Sequence, residues 1–205
     1  MYKKLTLAVF LIICVMATFV ACNQPSAAAN TPNADSTATT AKYNGYESQV
    51  KWGEHLVTIG ACNDCHTPKK MGAHGPENDS SLLLSGHPAK MPPPDIDRKM
   101  VEAKGLAVSN TLTAWVGAWG ISYAANLTSD ATGIGAWTEA QFIKALREGK
   151  YMGLDNTRPL LPPMPWEGIR VMTDDELKAI FAYLKATKPI NNVVPAFAPP
   201  VTGMK

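Results

Sequence analysis

The chain begins with an almost unbroken apolar run, Leu5–Val20 (LTLAVFLIICVMATFV), preceded by Lys3 and Lys4. Large apolar side chains then vanish from Asn23 to about Thr40 (NQPSAAANTPNADSTATT). Such a stretch cannot bury enough surface to offset the entropy of ordering, and predicts a flexible tether. Helical periodicity follows. In ESQVKWGEHLVTIGA, residues 47–61, the positions Val50, Trp52, Leu56, Val57 and Ile59 recur at helical intervals, with Gly53 inside the pattern. A glycine there lowers helix propensity and makes sense where a second helix crosses closely. Thr138 and Gln141 form a predicted capping box with Trp137 and Phe142 as its apolar staple, and Gly149 stops that helix. Thr173 and Glu176 repeat the pattern with Met172 and Leu177; the stripe Leu177, Ile180, Phe181, Leu184 continues it, and Pro189 ends it. A shorter helix is predicted from Ile96 to Lys104, ahead of Gly105. No other stretch shows sustained strand alternation, so the predicted fold class is all-α with long Gly/Pro-rich loops.

The apolar run changes how the composition is read. A basic start followed by such a run predicts an export signal. Its end, Phe19-Val20-Ala21-Cys22, resembles the lipobox of bacterial lipoproteins, which implies cleavage before Cys22 and lipid on that cysteine. A retained membrane helix is the alternative, although 16 residues fall short of the roughly 20 a span needs. The predicted organisation is residues 1–21 signal peptide, 22–42 lipidated tether, 43–195 folded domain and 196–205 tail. The whole chain of 205 residues has 19 basic and 17 acidic side chains; without Lys3 and Lys4 the balance is 17 against 17. A neutral domain offers no basic field for nucleic acid.

Four cysteines first suggest disulfides or zinc. Cys14 falls in the signal and Cys22 is set aside for lipid, which leaves Cys62 and Cys65. They stand in Cys62-Asn63-Asp64-Cys65-His66, the CxxCH attachment signature of a c-type haem. Two thiols three positions apart on a first helical turn can each form a thioether to a haem vinyl group, and the adjacent imidazole then faces the iron. A thioredoxin-like dithiol would need a strand before Cys62, and zinc would need two further ligands. One such motif implies one haem.

A second strong iron ligand excludes small molecules, and a methionine thioether in that place raises the potential. Of nine methionines, Met1 and Met16 belong to the signal. Among the remainder, Met164 in Leu161-Pro162-Pro163-Met164-Pro165-Trp166 and Met91 in Lys90-Met91-Pro92-Pro93-Pro94 are both held by proline-stiffened backbone. His55, His74 and His87 are weaker candidates for that position.

CxxCH, the late methionine and the terminal helix together resemble class I-like c-type cytochrome domains. More closely, the chain is similar to the cytochrome c domains in cytochrome subunits of membrane-bound alcohol, aldehyde and gluconate dehydrogenases. The matching stretches are residues 60–68 (GACNDCHTP), 122–130 (SYAANLTSD), 132–138 (TGIGAWT), 142–149 (FIKALREG) and 161–166 (LPPMPW), within about Trp52 to Pro195. The resemblance implies a crossing of the first and last helices at Gly53 and Tyr183. It also implies haem iron ligated by His66 and Met164, and a pocket lined or braced by Asn126, Leu127 and Trp137. The segment from about Met71 to Ala118 is an expanded loop relative to that pattern. Those subunits usually carry three such domains. One domain on a lipid tether therefore predicts a separate, non-enzymatic electron carrier of the bacterial periplasm or cell envelope, docking with respiratory or dehydrogenase redox proteins. The electron-accepting subunit of an exported dehydrogenase is the alternative, and a haem-based ligand sensor a more distant one.

Overall fold

A computed structural model describes residues 41–201. The predicted signal, Cys22 and nearly all of the predicted tether, with the last four residues of the predicted tail, lie outside the described residues. In chain order the helices are α1 (Gln49–Ile59), α2 (Cys62–His66), α3 (Arg98–Ala103), α4 (Glu139–Glu148), α5 (Trp166–Ile169) and α6 (Asp174–Ala186). Two antiparallel hairpins join them: β1 (Lys69–Gly72) with β2 (Gly75–Asn78), and β3 (Ala114–Gly117) with β4 (Gly120–Tyr123). The fold is predominantly helical with a few short strands.

Local capping sets the three long helices. The Ser48 hydroxyl accepts from Lys51 N–H at the start of α1. Both expected capping boxes are formed, Thr138 with Gln141 and Thr173 with Glu176, and Gly149 closes α4 at φ +64°. Helix α3 lies within the predicted span, capped by the Asp97 side chain and followed by Gly105 at φ +65°.

The apolar stripes meet in one core. Trp52, Leu56 and Val57 of α1, Phe142 and Leu146 of α4, and Leu177, Ile180, Phe181 and Leu184 of α6 are buried together with Leu84 and Ile134. Helices α1 and α6 cross at Gly53. A Cβ on Gly53 would collide with the Ala179 carbonyl oxygen and lie 2.8 Å from Tyr183 Cβ. The expected Gly53–Tyr183 crossing is therefore present, with the Ala179 backbone as the closer obstacle.

The region read as an expanded loop is structured. Val101 of α3, Val116 of β3 and Ile121 of β4 form a second small core, flanked by Ile96, Val108, Tyr123 and Ala198. The sequence pattern missed both hairpins for a physical reason. Strands β3 and β4 are buried on nearly every residue, so they lack polar alternation, and β1 and β2 have only four residues each. Gly117 and Gly120, within AWVGAWGISY, were the available turn signal.

Beyond α6 the chain runs on without helix or strand to reach the second core. Ala198 pairs with Ile121. The Arg98 guanidinium donates to the Pro199 carbonyl at 2.7 Å and pairs with Glu102 at 2.9 Å, and the Glu102 side chain is fully buried. Glu102 also accepts from Val201 N–H.

Candidate functional site

The CxxCH segment is a single helical turn entered through Ala61, which adopts a left-handed backbone (φ +54°) and so reverses the chain after α1. Cys62 and Cys65 are half-buried free thiols; His66 is buried. Burial pushes the Cys62 thiol up to about 11 and raises Cys65 in the same direction. Desolvation also lowers the His66 pKa, favouring the neutral ring, while its hydrogen bond to Ala125 opposes this.

That hydrogen bond orients the site. His66 Nδ1 lies 2.8 Å from the Ala125 carbonyl oxygen, so Nδ1 carries the proton and donates. Among the described residues nothing bonds Nε2, whose lone pair is left for a ligand. The segment 84–87 brings Ala125 to this position. Gly86 N–H donates to the His66 carbonyl at 2.8 Å, His87 N–H to Ala124 O, and Leu127 N–H to Leu84 O. Gly86 has φ +78°, and a Cβ there would lie 2.6 Å from the Ala124 carbonyl oxygen.

Two side chains that sequence reasoning passed over fix the helical turn itself. Thr67, wholly buried, donates to Asn63 Oδ1 and accepts from Leu84 N–H. Lys69 Nζ donates to the carbonyls of Asn63, Asp64 and Thr67, at 3.2, 2.8 and 2.7 Å, capping the carbonyl end of α2. A Thr and a Lys just after CxxCH were the only signal; the Ala125 carbonyl leaves none in the sequence.

The remaining expected site residues separate. Cys62, Leu127, Trp137 and Met164 are partly buried and pack against the same principal core. Met164 also lines a recess of ≈ 260 Å³ with Leu160, Pro162, Pro163, Pro165, Trp166 and Glu167. Met91 is 36% exposed and borders neither core. Its carbonyl is bonded by His87 Nε2 at 2.9 Å, and Nδ1 of that fully buried histidine is bonded to Thr113 Oγ1. Both His87 nitrogens are therefore occupied. Asn126 is buried and acts as a brace. Its Oδ1 accepts from Thr128 N–H and Oγ1–H, and its Nδ2 donates to Thr132 Oγ1 and, at 2.8 Å, to the Ile190 carbonyl.

A neutral imidazole with one free nitrogen, two half-buried thiols on the same turn and an adjoining apolar core fit a thioether-bound haem. They do not fit a protein-ligated metal ion. Among the described residues no group of three or more His, Cys, Asp or Glu side chains converges to hold one.

No family model matches the chain. Individual relatives do. The fructose dehydrogenase cytochrome subunit of Gluconobacter japonicus is 35% identical over 150 residues, 72% of this chain and 23% of that protein. The gluconate 2-dehydrogenase cytochrome c subunit of Pantoea cypripedii is 29% identical over 138 residues, 67% of this chain and 23% of that protein. The cytochrome c subunit of the quinone-dependent alcohol dehydrogenase of Gluconacetobacter polyoxogenes is 28% identical over 167 residues, 80% of this chain and 25% of that protein. The chain thus spans about a quarter of the length of these curated relatives. Its CxxCH cysteines and this kinship imply a haem c site, and the chain carries a cytochrome c-type domain related to the cytochrome c subunits of dehydrogenase complexes.

Proposed function

We propose that the protein is an electron-transferring cytochrome c unit that accepts single electrons from an exported dehydrogenase whose catalysis resides in another polypeptide. The observation that carries this reading is His66, with Nδ1 committed to Ala125 and Nε2 left unbonded beside two half-buried thiols. The relatives are named as cytochrome subunits, which favours the dehydrogenase-associated reading over the free-standing carrier expected from a single CxxCH.

A haem held there supplies one reversible electron at its iron. The chain's own part is to bind, orient and enclose it. Cys62 and Cys65 would anchor it through thioethers. His66 offers Nε2, and the Ala125 carbonyl, by accepting from Nδ1–H, makes the ring a better donor and fixes its plane. Met164 would offer its thioether as the second iron ligand; its packing against the same core as Cys62 supports it over Met91. Trp137 borders the same core, and Asn126 ties the loop from Asn126 to Thr132 to the C-terminal extension at Ile190. Lipid on Cys22 would hold the domain at a membrane surface of the cell envelope, where tethering supplies the local concentration that weak docking lacks. Among the described residues no helix is long and apolar enough to cross a membrane.

Optical spectroscopy of the haem-loaded wild type and Met164→Ala tests the assignment. The weak methionine-to-iron band toward the red should vanish in the variant. A band that persists sinks Met164 and returns Met91 to the position. Stable co-purification with a flavin- or quinone-bearing subunit separates the dehydrogenase reading from that of a free-standing carrier.

A further inference from the structure

The hairpin of β3 and β4 starts in the expanded segment and carries on past its end at Ala118 to Tyr123. This hairpin makes one connection that the packing of the small core does not require. Ser122 of β4 is buried, at 6% exposure, and its hydroxyl donates to the Pro162 carbonyl at 2.6 Å, forty residues on in the chain. The same oxygen accepts from the Trp119 indole N–H at 3.0 Å. The hydroxyl is thus fixed from both sides. The Trp119 ring is itself seated on Gly117, where a Cβ would lie 2.5 Å from it.

Pro162 stands two residues before Met164, in a loop poor in donors of its own. Pro159, Pro162, Pro163 and Pro165 have no N–H to give. Leu160 N–H reaches the Gly149 carbonyl at 2.7 Å, and Met164 N–H turns back to Leu161 O at 3.2 Å. The loop is moored at its start by Leu160 and at its end by Trp166, whose ring covers Gly149. Ser122 supplies the mooring between them.

We propose that Ser122, oriented by Trp119, is a positioning residue that holds the Met164 loop in its ligating conformation, so that the β3–β4 hairpin braces that loop. The inference rests on Met164 being the iron ligand. Proline restricts each residue's φ but leaves the loop as a whole free to swing. A hydroxyl–carbonyl bond from a buried strand opposes that swing.

The test uses the haem-loaded full chain with Ser122→Ala, Ser122→Thr, Trp119→Phe and Met164→Ala. Two readouts are followed: the pH at which the methionine-to-iron band is lost, and the rate of carbon monoxide binding to the reduced protein. Ser122→Ala should keep haem content and helical circular dichroism, lose the band at lower pH, and bind carbon monoxide about two- to tenfold faster, the scale of one hydrogen bond. Ser122→Thr, which keeps the hydroxyl, should restore both values. Trp119→Phe should shift both in the same direction by less. Should Ser122→Ala fail to take up haem, Trp119→Phe decides, and wild-type values in it overturn the proposal. Wild-type values in Ser122→Ala overturn it as well, provided Met164→Ala has lost the band. A band that persists in Met164→Ala refutes the ligand assignment, and the positioning role falls with it.

Discussion

The molecule has two cores built on different terms. The principal one buries twelve residues from three capped helices and the segments between them; the satellite buries Val101, Val116 and Ile121. At about 1.5–3 kcal/mol for each large side chain fully buried, the first gathers several times the apolar transfer energy of the second. Polar ties supplement the second. Asn192 accepts from Ala89 N–H and donates to the carbonyls of Ser85 and His87. Arg98 and Glu102 hold the end of the C-terminal extension. A region without enough oil is held by string, and its strings run to distant parts of the chain.

The contrast is sharpest at Gly53. Gly53→Val sets a branched side chain against the Ala179 backbone, and should cost about 3 kcal/mol or more. Denaturant titration should show both cores lost in one transition, because the satellite has no means of standing alone. A separate, unshifted satellite transition would break the comparison. Glu102→Ala approaches from the other side. It removes the carboxylate that Arg98 and Val201 share, at a cost of about 2 kcal/mol, below the 3–5 of a fully buried pair because Arg98 keeps 25% of its side chain exposed. Amide exchange should quicken in α3, β3, β4 and the last residues while α1 and α6 stay protected. Uniform acceleration would mean that the satellite never opens independently of the principal core.

A smaller effect is expected at the principal core's own edge. Thr173→Ala deletes the cap of α6 and should cost about 1 kcal/mol, visible as a lowered Tm with the satellite's exchange unchanged. The smallest is a pH effect. Burial holds the folded-state pKa of His87 below its ordinary 6.5, so the unfolded chain binds the proton more readily. Its share of stability is full above pH 6.5 and declines as pH falls below that toward the folded value. His87 faces Thr113, the Met91 carbonyl and the Tyr123 ring at 5.0 Å, none of them a carboxylate that would welcome the charge. The Tm of the haem-loaded protein should fall as pH drops below 6.5, and His87→Gln should flatten that slope.

What could be read in advance divides along the same line. Capping boxes at Thr138 and Thr173 and the stripe of α6 are relations between residues three or four apart, which sequence displays directly. The CxxCH turn is equally local. Even Gly53 was legible, because a small residue inside an otherwise good helix has few reasons to be there. Hydrogen bonds from Ser122 to Pro162 and from Asn192 to Ser85 join positions 40 and 107 residues apart, and nothing near either end marks the partner. Strands β3 and β4 escaped because burial on nearly every residue erased their period. Asn126 was expected beside the cofactor on resemblance alone. The structure adds what its amide bonds to: Thr128, Thr132 and Ile190.

The partner that fixes His66 is a backbone oxygen, and this bears on how such a protein varies over evolutionary time. Substitution can replace a side-chain acceptor but cannot delete the Ala125 carbonyl, so this part of the site is largely insulated from point mutation. Gly86 is its one exposed flank. Any side chain there drives segment 84–87 away from Ala124 and Ala125 and carries the acceptor out of reach. With Met164 as the proposed second ligand, lineages adjusting the potential of such a centre would work on its loop and supports, where ordinary amino-acid changes have purchase.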